Sequence, residues 1–166
     1  MAFEGTEQLL KRTGDFVAAH RALYLGSGGT KGHIVDLTHA GARGRLPTLL
    51  LRTIGRKSGR PQIVPLIYGV YGDEWVVVGS KGGAPEHPAW FLNLESRPEA
   101  VMQVATQAFT VRWRLAEGEE RQRAWAYMEH LFPPYATYAQ AAGDRIIPLV
   151  MLRPIEEVEP LAPGEE

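Results

Sequence analysis

The sequence predicts a mainly β, α+β fold: a small antiparallel barrel of about six strands with helices on its periphery. Three observations carry this. Six stretches have strand-like patterning and follow one another mostly as hairpins. No βαβ unit recurs, which argues against a parallel sheet. At 166 residues the chain can close one core without needing a second.

Residues 6–25 form the first predicted helix. Leu9, Leu10, Phe16, Val17, His20, Leu23 and Tyr24 recur near i, i+3/i+4, i+7, with Lys11, Arg12, Asp15 and Arg21 off that stripe. Gly14 weakens its middle by up to about 1 kcal/mol relative to Ala. Such a stripe lies on a core. Its net positive charge is too small to favour a membrane surface, and peripheral association stays open. Residues 26–32 are a glycine-rich connector. They do not make a dinucleotide fingerprint, because Lys31 stands where the third glycine belongs and no strand precedes. A second loop, residues 41–45, is ended by Pro47.

From there the pattern turns to β. Residues 48–54 and 62–70 read as strands, and Gly55-Arg56-Lys57-Ser58-Gly59-Arg60 lies in the turn between them. Pro65 cannot donate to a ladder, so its strand is an edge or is bulged there. Residues 71–74 turn the chain into a strand over 75–79. A short helix over 88–95 opens on Pro88, a residue suited to the first turn. Residues 101–106 and 109–115 form a hairpin. The helix over 117–131 has Trp125, Met128, Leu131 and Phe132 along one side, and Glu117, Glu119 and Glu120 complement its N-terminal dipole. Pro133-Pro134 stop it, Tyr135 to Tyr138 follow on a loop or short turn, and 146–153 is the last strand. The Pro- and Glu-rich end frays. The chain thus divides into a helix and connector (1–45) packed on a barrel (46–155) with a flexible tail (156–166), one structural domain in all.

Composition narrows the function. A net charge of −1 gives no reason to expect nucleic acid, but residues 43–81 hold seven Lys/Arg (Arg43, Arg45, Arg52, Arg56, Lys57, Arg60, Lys81) against Asp73 and Glu74. A basic centre in a neutral chain suits a small anionic ligand. With no cysteine, thiolate chemistry is excluded. No apolar run approaches the roughly 20 residues of a membrane span, and residues 1–15 lack the apolar core of a signal peptide, so the cytoplasm is expected. The five histidines form no His-x-x-x-His pair, so no metal is expected. Gly-x-Ser-x-Gly and Gly-Lys-[Ser/Thr] are both absent. What remains is a pair of loops, 55–60 and 80–83, each combining glycine, hydroxyl and positive charge, one hairpin apart. Backbone N–H groups with Arg and Lys suit phosphate. Trp90 offers an aromatic wall or core packing, and Asn93 a polar contact or a cap.

The run Leu49-Leu50-Leu51-x-Thr53-x-Gly55-Arg56-Lys57-Ser58-Gly59, then Pro65-Leu66, Ser80-Lys81-Gly82-Gly83, Pro88-x-Trp90-Phe91-x-Asn93-Leu94, Pro133-x-Tyr135-x-x-Tyr138 and Ile146-x-Pro148 resembles the deazaflavin-dependent nitroreductase family. These are coenzyme F420-dependent quinone and nitro reductases with a split β-barrel. The likeness spans roughly residues 20 to 155 and includes Glu119-Glu120-Arg121.

It implies that Arg56, Lys57 and Ser58 hold the coenzyme's phosphate. Gln62, Ile63, Val64, Pro65, Leu66 and Ile67 would line the ring pocket. Val78, Gly79, Ser80 and Lys81 would meet the ring and its ribityl chain, and Ala89, Trp90, Phe91, Leu92 and Asn93 would close over it. Ser80, Tyr135 and Tyr138 would act on the acceptor, with Tyr135 also near the coenzyme. The chain departs from the family pattern at Gln62, Ile67 and Phe132, where arginine, tyrosine and tyrosine can occur. The expected activity is hydride transfer from reduced F420 to a quinone, an activated enone or a nitro compound. The rivals are a protein that binds F420 without turnover and an FMN-dependent oxidoreductase of the same barrel type. The partner expected is a small-molecule acceptor, and the sequence leaves the oligomeric state open.

Overall fold

A strand with apolar residues at consecutive positions must be covered on both faces, and Leu49, Leu50 and Leu51 are all fully buried. The architecture follows from that cover. The computed structural model describes residues 2–165, with side chains from Gly14 onward. In order come α1 (Ala2–Gly26), β1 (Ile34–Asp36), a 3-10 turn (Thr38–Ala40), β2 (Arg45–Ile54), β3 (Pro61–Ile67), β4 (Gly69–Tyr71) and β5 (Glu74–Val78). A second 3-10 turn (Lys81–Gly83), α2 (Ala89–Ser96), β6 (Ala100–Val104), β7 (Gln107–Leu115), α3 (Gly118–Leu131), α4 (Pro134–Ala141) and β8 (Leu149–Val158) complete it.

All strand pairs are antiparallel, in the order β1-β2-β6-β7-β8-β5-β4, with β3 also on β2. β3, which branches from β2, and β4, at the far end of the path, are joined in sequence through Tyr68 alone, yet no ladder pairs them. The sheet therefore curls into a barrel that stays split along one seam, as the resemblance implied.

Side-chain alternation sorts the core. Leu49, Leu51, Val77, Val150 and Leu152 pack with Trp90, Phe91 and Leu94 of α2. Their neighbours Val76, Val78, Leu149 and Met151 face the other way, under Met128 of α3 and Tyr135 of α4. Leu50 packs with Tyr24 of α1, Ile63 and Leu161. The Tyr24 hydroxyl accepts the Ala105 N–H (2.9 Å) and points to the carbonyls of Thr48 (3.0 Å) and Gln103 (3.3 Å). Burial pushes its pKa up to about 12. His20 donates to the Gly32 carbonyl at 2.7 Å, so α1 is pinned to the barrel by polar bonds as well as apolar burial.

Several expectations change. There are eight strands among the described residues: β1 is new, and the stretch 62–70 divides at Tyr68 into β3 and β4. Residues 135–138 belong to a helix, α4, because Pro134 occupies a first-turn position where its missing N–H costs nothing. The last strand starts at Leu149 and runs on to Val158. Beyond it Leu161 is buried and donates its N–H to Gln103 Oε1 (2.7 Å), and Glu165 pairs with Arg52 (2.8 Å). On α1, Leu23 is exposed, so the core-facing stripe is half-buried Phe16 with buried His20 and Tyr24; the side chains of Leu9, Leu10, Lys11 and Arg12 lie outside the described residues.

Candidate functional site

The turn after β2 is built by its own backbone. Gly55 exchanges bonds with the Arg60 carbonyl (2.8 Å) and the Gly59 N–H (2.8 Å), and Ser58 Oγ accepts the Arg60 N–H (3.1 Å). A Cβ at position 55 would stand 2.5 Å from Ser58 Oγ, so glycine is needed there for that closure. Asn93, one per cent exposed, fixes the turn from below. Its Oδ1 accepts the Arg56 N–H (3.0 Å), while its Nδ2 donates to Thr53 Oγ1 (3.0 Å) and Gln62 Oε1 (2.8 Å). Asn93 is thus a buried pin between α2, β2, β3 and the turn.

The second loop is held by a residue that the sequence did not single out. Arg145 donates to the carbonyls of Ser80 (2.7 Å), Ala84 (2.8 Å) and Gly79 (3.0 Å), and faces His87 Nδ1 at 3.1 Å. With its carbonyls gathered on one cation, the loop keeps Lys81 at φ 47 and Gly82 at φ 62, both in the left-handed region. Lys81 bonds Glu86 at 3.0 Å, and that bond holds the Glu86 carboxyl below the usual carboxylate range.

The two loops meet in a pocket of about 510 Å³ beside β3. Ser58, Arg60, Pro61, Gln62, Ile63 and Val64 form one wall; Lys81, Pro88, Ala89 and Trp90 form the other, and Arg21 of α1 and Thr53 complete it. Three cations and no carboxylate line it, beside an aromatic and aliphatic surface. This suits a ligand with a flat apolar body and an anionic chain.

Of the predicted residues, Ser58, Gln62, Ile63, Val64, Lys81, Ala89 and Trp90 line this pocket. Arg56 and Lys57 are exposed on the same turn outside its wall. Val78 and Phe91 are buried in the core, Leu66 and Ile67 pack against it, and Pro65 and Leu92 are half-buried. Gly79 supplies a carbonyl to Arg145. Arg21 and Arg60 extend the cationic lining beyond the residues singled out by resemblance.

Ser80, Tyr135 and Tyr138 sit on touching segments. A Cβ on Gly83 would stand 2.7 Å from Ala141 Cβ and 2.8 Å from the Tyr138 carbonyl, so α4 rests directly on the loop that carries Ser80. Tyr135 is 5 % exposed, and burial raises its pKa well above the ordinary phenol value. Tyr138 is half-buried and is shifted in the same direction by the same cause. His/Cys/Asp/Glu clusters able to hold a metal are absent among the described residues.

A split antiparallel barrel with a cation-lined pocket defines the class, and it is that of the F420-dependent reductases of known structure. A solved F420-H2 dependent reductase is 35 % identical and superposes with a TM-score of 0.58, covering 64 % of this chain and 94 % of its own. A second solved chain, described as a domain-swapped dimer, is 31 % identical with a TM-score of 0.61, covering 90 % of this chain and 99 % of its own. An F420H(2)-dependent quinone reductase of Mycobacterium tuberculosis is 32 % identical over 135 residues, 80 % of this chain and 86 % of that protein. Residues 20–154 match the F420H(2)-dependent quinone reductase family, and the chain belongs to it.

Proposed function

We propose that the protein binds reduced F420 in this cation-lined pocket and reduces a quinone, with activated enones and nitro compounds as further acceptors. The observation that carries this is the convergence of Arg60, Lys81 and Trp90 on one acid-free pocket. Family membership supports F420 rather than FMN as the coenzyme. When bound, F420H2 supplies the hydride.

The chain's own residues supply placement. Arg60, the Ser58 turn and Arg21 draw an anionic side chain to one end, with Arg56 and Lys57 adding charge at the exposed tip. Ile63, Val64 and Trp90 exclude water from an apolar ring. On the acceptor side, Ser80 and Tyr138 carry hydroxyls that can donate to an oxygen as it gains negative charge. Reaction takes place in the cytoplasm under this reading; among the described residues, no helix is long and apolar enough to cross a membrane.

The test is a fluorescence titration with F420, followed by mixing with enzymatically reduced F420 and menadione, an enone or a nitroaromatic. Binding followed by oxidation with menadione is expected. Binding without oxidation by any acceptor would reduce the protein to a carrier. Failure to bind F420, with FMN retained on purification, would move it to flavin chemistry.

A further inference from the structure

Beyond the coenzyme pocket, a second cleft of about 650 Å³ lies between α3, α4 and the segment that leads into β8. Its chemistry is unusual for a surface cleft. Arg121 and Arg145 both line it, and no carboxylate does. Arg121 is half-buried, and its guanidinium stands 5.5 Å from the centre of the Trp125 ring and makes no hydrogen bond or ion pair among the described residues. Arg145 spends its donors on neutral carbonyls and His87. The carboxylate of Glu86 feels the charge of Arg145 but is bonded to Lys81.

Two cations thus share a largely apolar space that no carboxylate lines. Desolvation without a paired anion is costly, and it depresses the pKa of Arg121 here. Nearby surface arginines are satisfied differently: Arg114 is bonded to both Glu74 and Glu120. Apart from Gln122, the remaining wall is apolar. Trp125 presents a ring, and Ile146 is 74 % exposed, the most exposed large hydrophobic among the described residues. A neighbouring cleft of about 450 Å³ shares Gly118, Arg121 and Ile146 but is lined by Glu95 and Glu117; on the Trp125 side the one nearby carboxylate, Glu129, is bonded to the indole N–H at 2.9 Å and does not line the cleft.

We propose that this cleft is a second ligand site, for a small amphipathic carboxylate: an aromatic or aliphatic body against Trp125 and Ile146 with its carboxylate on Arg121. The site is separate from the coenzyme pocket, with which it shares no lining residue. It stands whether or not that pocket takes F420. Because Arg145 belongs both to this cleft and to the clamp on the Ser80 loop, a ligand here touches the element that shapes the other site.

The probe is 2-naphthoate, with 2-naphthalenemethanol as its uncharged counterpart, titrated into the full chain by calorimetry and by 1H–15N spectra. The expected result is saturable binding of the carboxylate, at least about tenfold weaker binding of the alcohol, and a similar loss for Arg121→Gln, as for one charge-assisted hydrogen bond. The indole N–H signal of Trp125 should move, and that of Trp90 should not. Naphthoate that moves Trp90, or binds equally to Arg121→Gln, would overturn the assignment. So would an alcohol that binds as well as the acid, or no saturable binding at all. Melting curves of Arg121→Gln establish that the variant is folded; should it not be, Arg121→Lys replaces it, with weakened but saturable binding expected.

Discussion

Replacing Arg145 with methionine keeps an apolar stem of similar length and removes the clamp on residues 79–87. The three carbonyl bonds, at 2.7, 2.8 and 3.0 Å, are charge-assisted. Such bonds are worth about 1.5–3 kcal/mol each. Their sum overstates the loss, because Arg145 is only half-buried and water re-solvates part of what it leaves. A destabilisation of about 2–4 kcal/mol is expected, which for a chain of this size lowers Tm by about 4–16 °C. The loss should be local as well as global. Amide exchange should quicken at Gly83 and Ala84, whose N–H groups are bonded to the Ser80 (2.9 Å) and Lys81 (3.1 Å) carbonyls. F420 affinity should fall with it, since Lys81 lines the pocket. Arg145→Lys should recover less than half of the loss, because an ammonium cannot reach three diverging carbonyls as a planar fork does. A methionine variant with unchanged melting and unchanged exchange at Gly83 would show that the loop holds its own shape, and the clamp argument would fail.

Asn93→Ala should cost about 2–4 kcal/mol in urea denaturation, because Thr53, Gln62 and the Arg56 N–H all lose a buried partner; a change below about 0.5 kcal/mol would reduce Asn93 to filler. Gly83→Ala should lower Tm clearly more than Gly82→Ala: both have positive φ, but only Gly83 lies under α4, whereas a Cβ on Gly82 meets open space. Equal losses would refute the packing role. Burial holds His33 below its ordinary pKa of about 6.5, so the folded protein binds that proton less readily than the unfolded chain. Its contribution is whole above about pH 6.5 and is lost as acid carries the pH through the folded value; His33→Gln should flatten that part of the stability profile, and an unchanged slope would refute it. Tyr138→Phe should lower turnover by roughly 10²-fold while leaving F420 affinity within about threefold, and Tyr135→Phe should act mainly on stability, since its ring is core. Wild-type turnover in Tyr138→Phe would leave that hydroxyl without a catalytic role.

The parts of the fold that were legible are those where one local rule had no competitor. Three consecutive leucines demanded two-sided cover, and β2 received it from α2 on one face and α1 on the other. The parts that were not legible involve prolines. Pro154 looked like the end of a strand, yet β8 runs through it. The ladder slips between Thr110 and Val111, so Pro154 sits beside an irregularity where a missing N–H is tolerated. Pro134 looked like a stop and is instead the start of α4. The same chemistry, an absent donor and a fixed φ, ends one element and begins the next, and sequence alone does not say which. β1 is three residues long and exposed at both ends, so it had no alternation to read.

At the site, residue type was legible and division of labour was not. In sequence, glycine, lysine and serine at 80–83 suggest one surface around a ligand. In the fold they separate: Lys81 lines the pocket, Ser80 and Gly79 give their carbonyls to Arg145, and Gly83 makes room for α4. A backbone that must come close to a ligand and a backbone that must come close to a helix impose the same demand, the absence of a Cβ. Only the partner across space distinguishes them, and that partner is some 60 residues away. Arg145 was invisible for the same reason. A lone arginine ahead of a strand has no local pattern, and its role exists only once the chain has folded its donors onto the carbonyls of another loop. Asn93 shows the converse case. Its place beside Trp90 made it look like a ligand contact, but full burial and three saturated bonds leave it no free atom to offer, so its influence on the coenzyme passes through the shape of the turn that it holds.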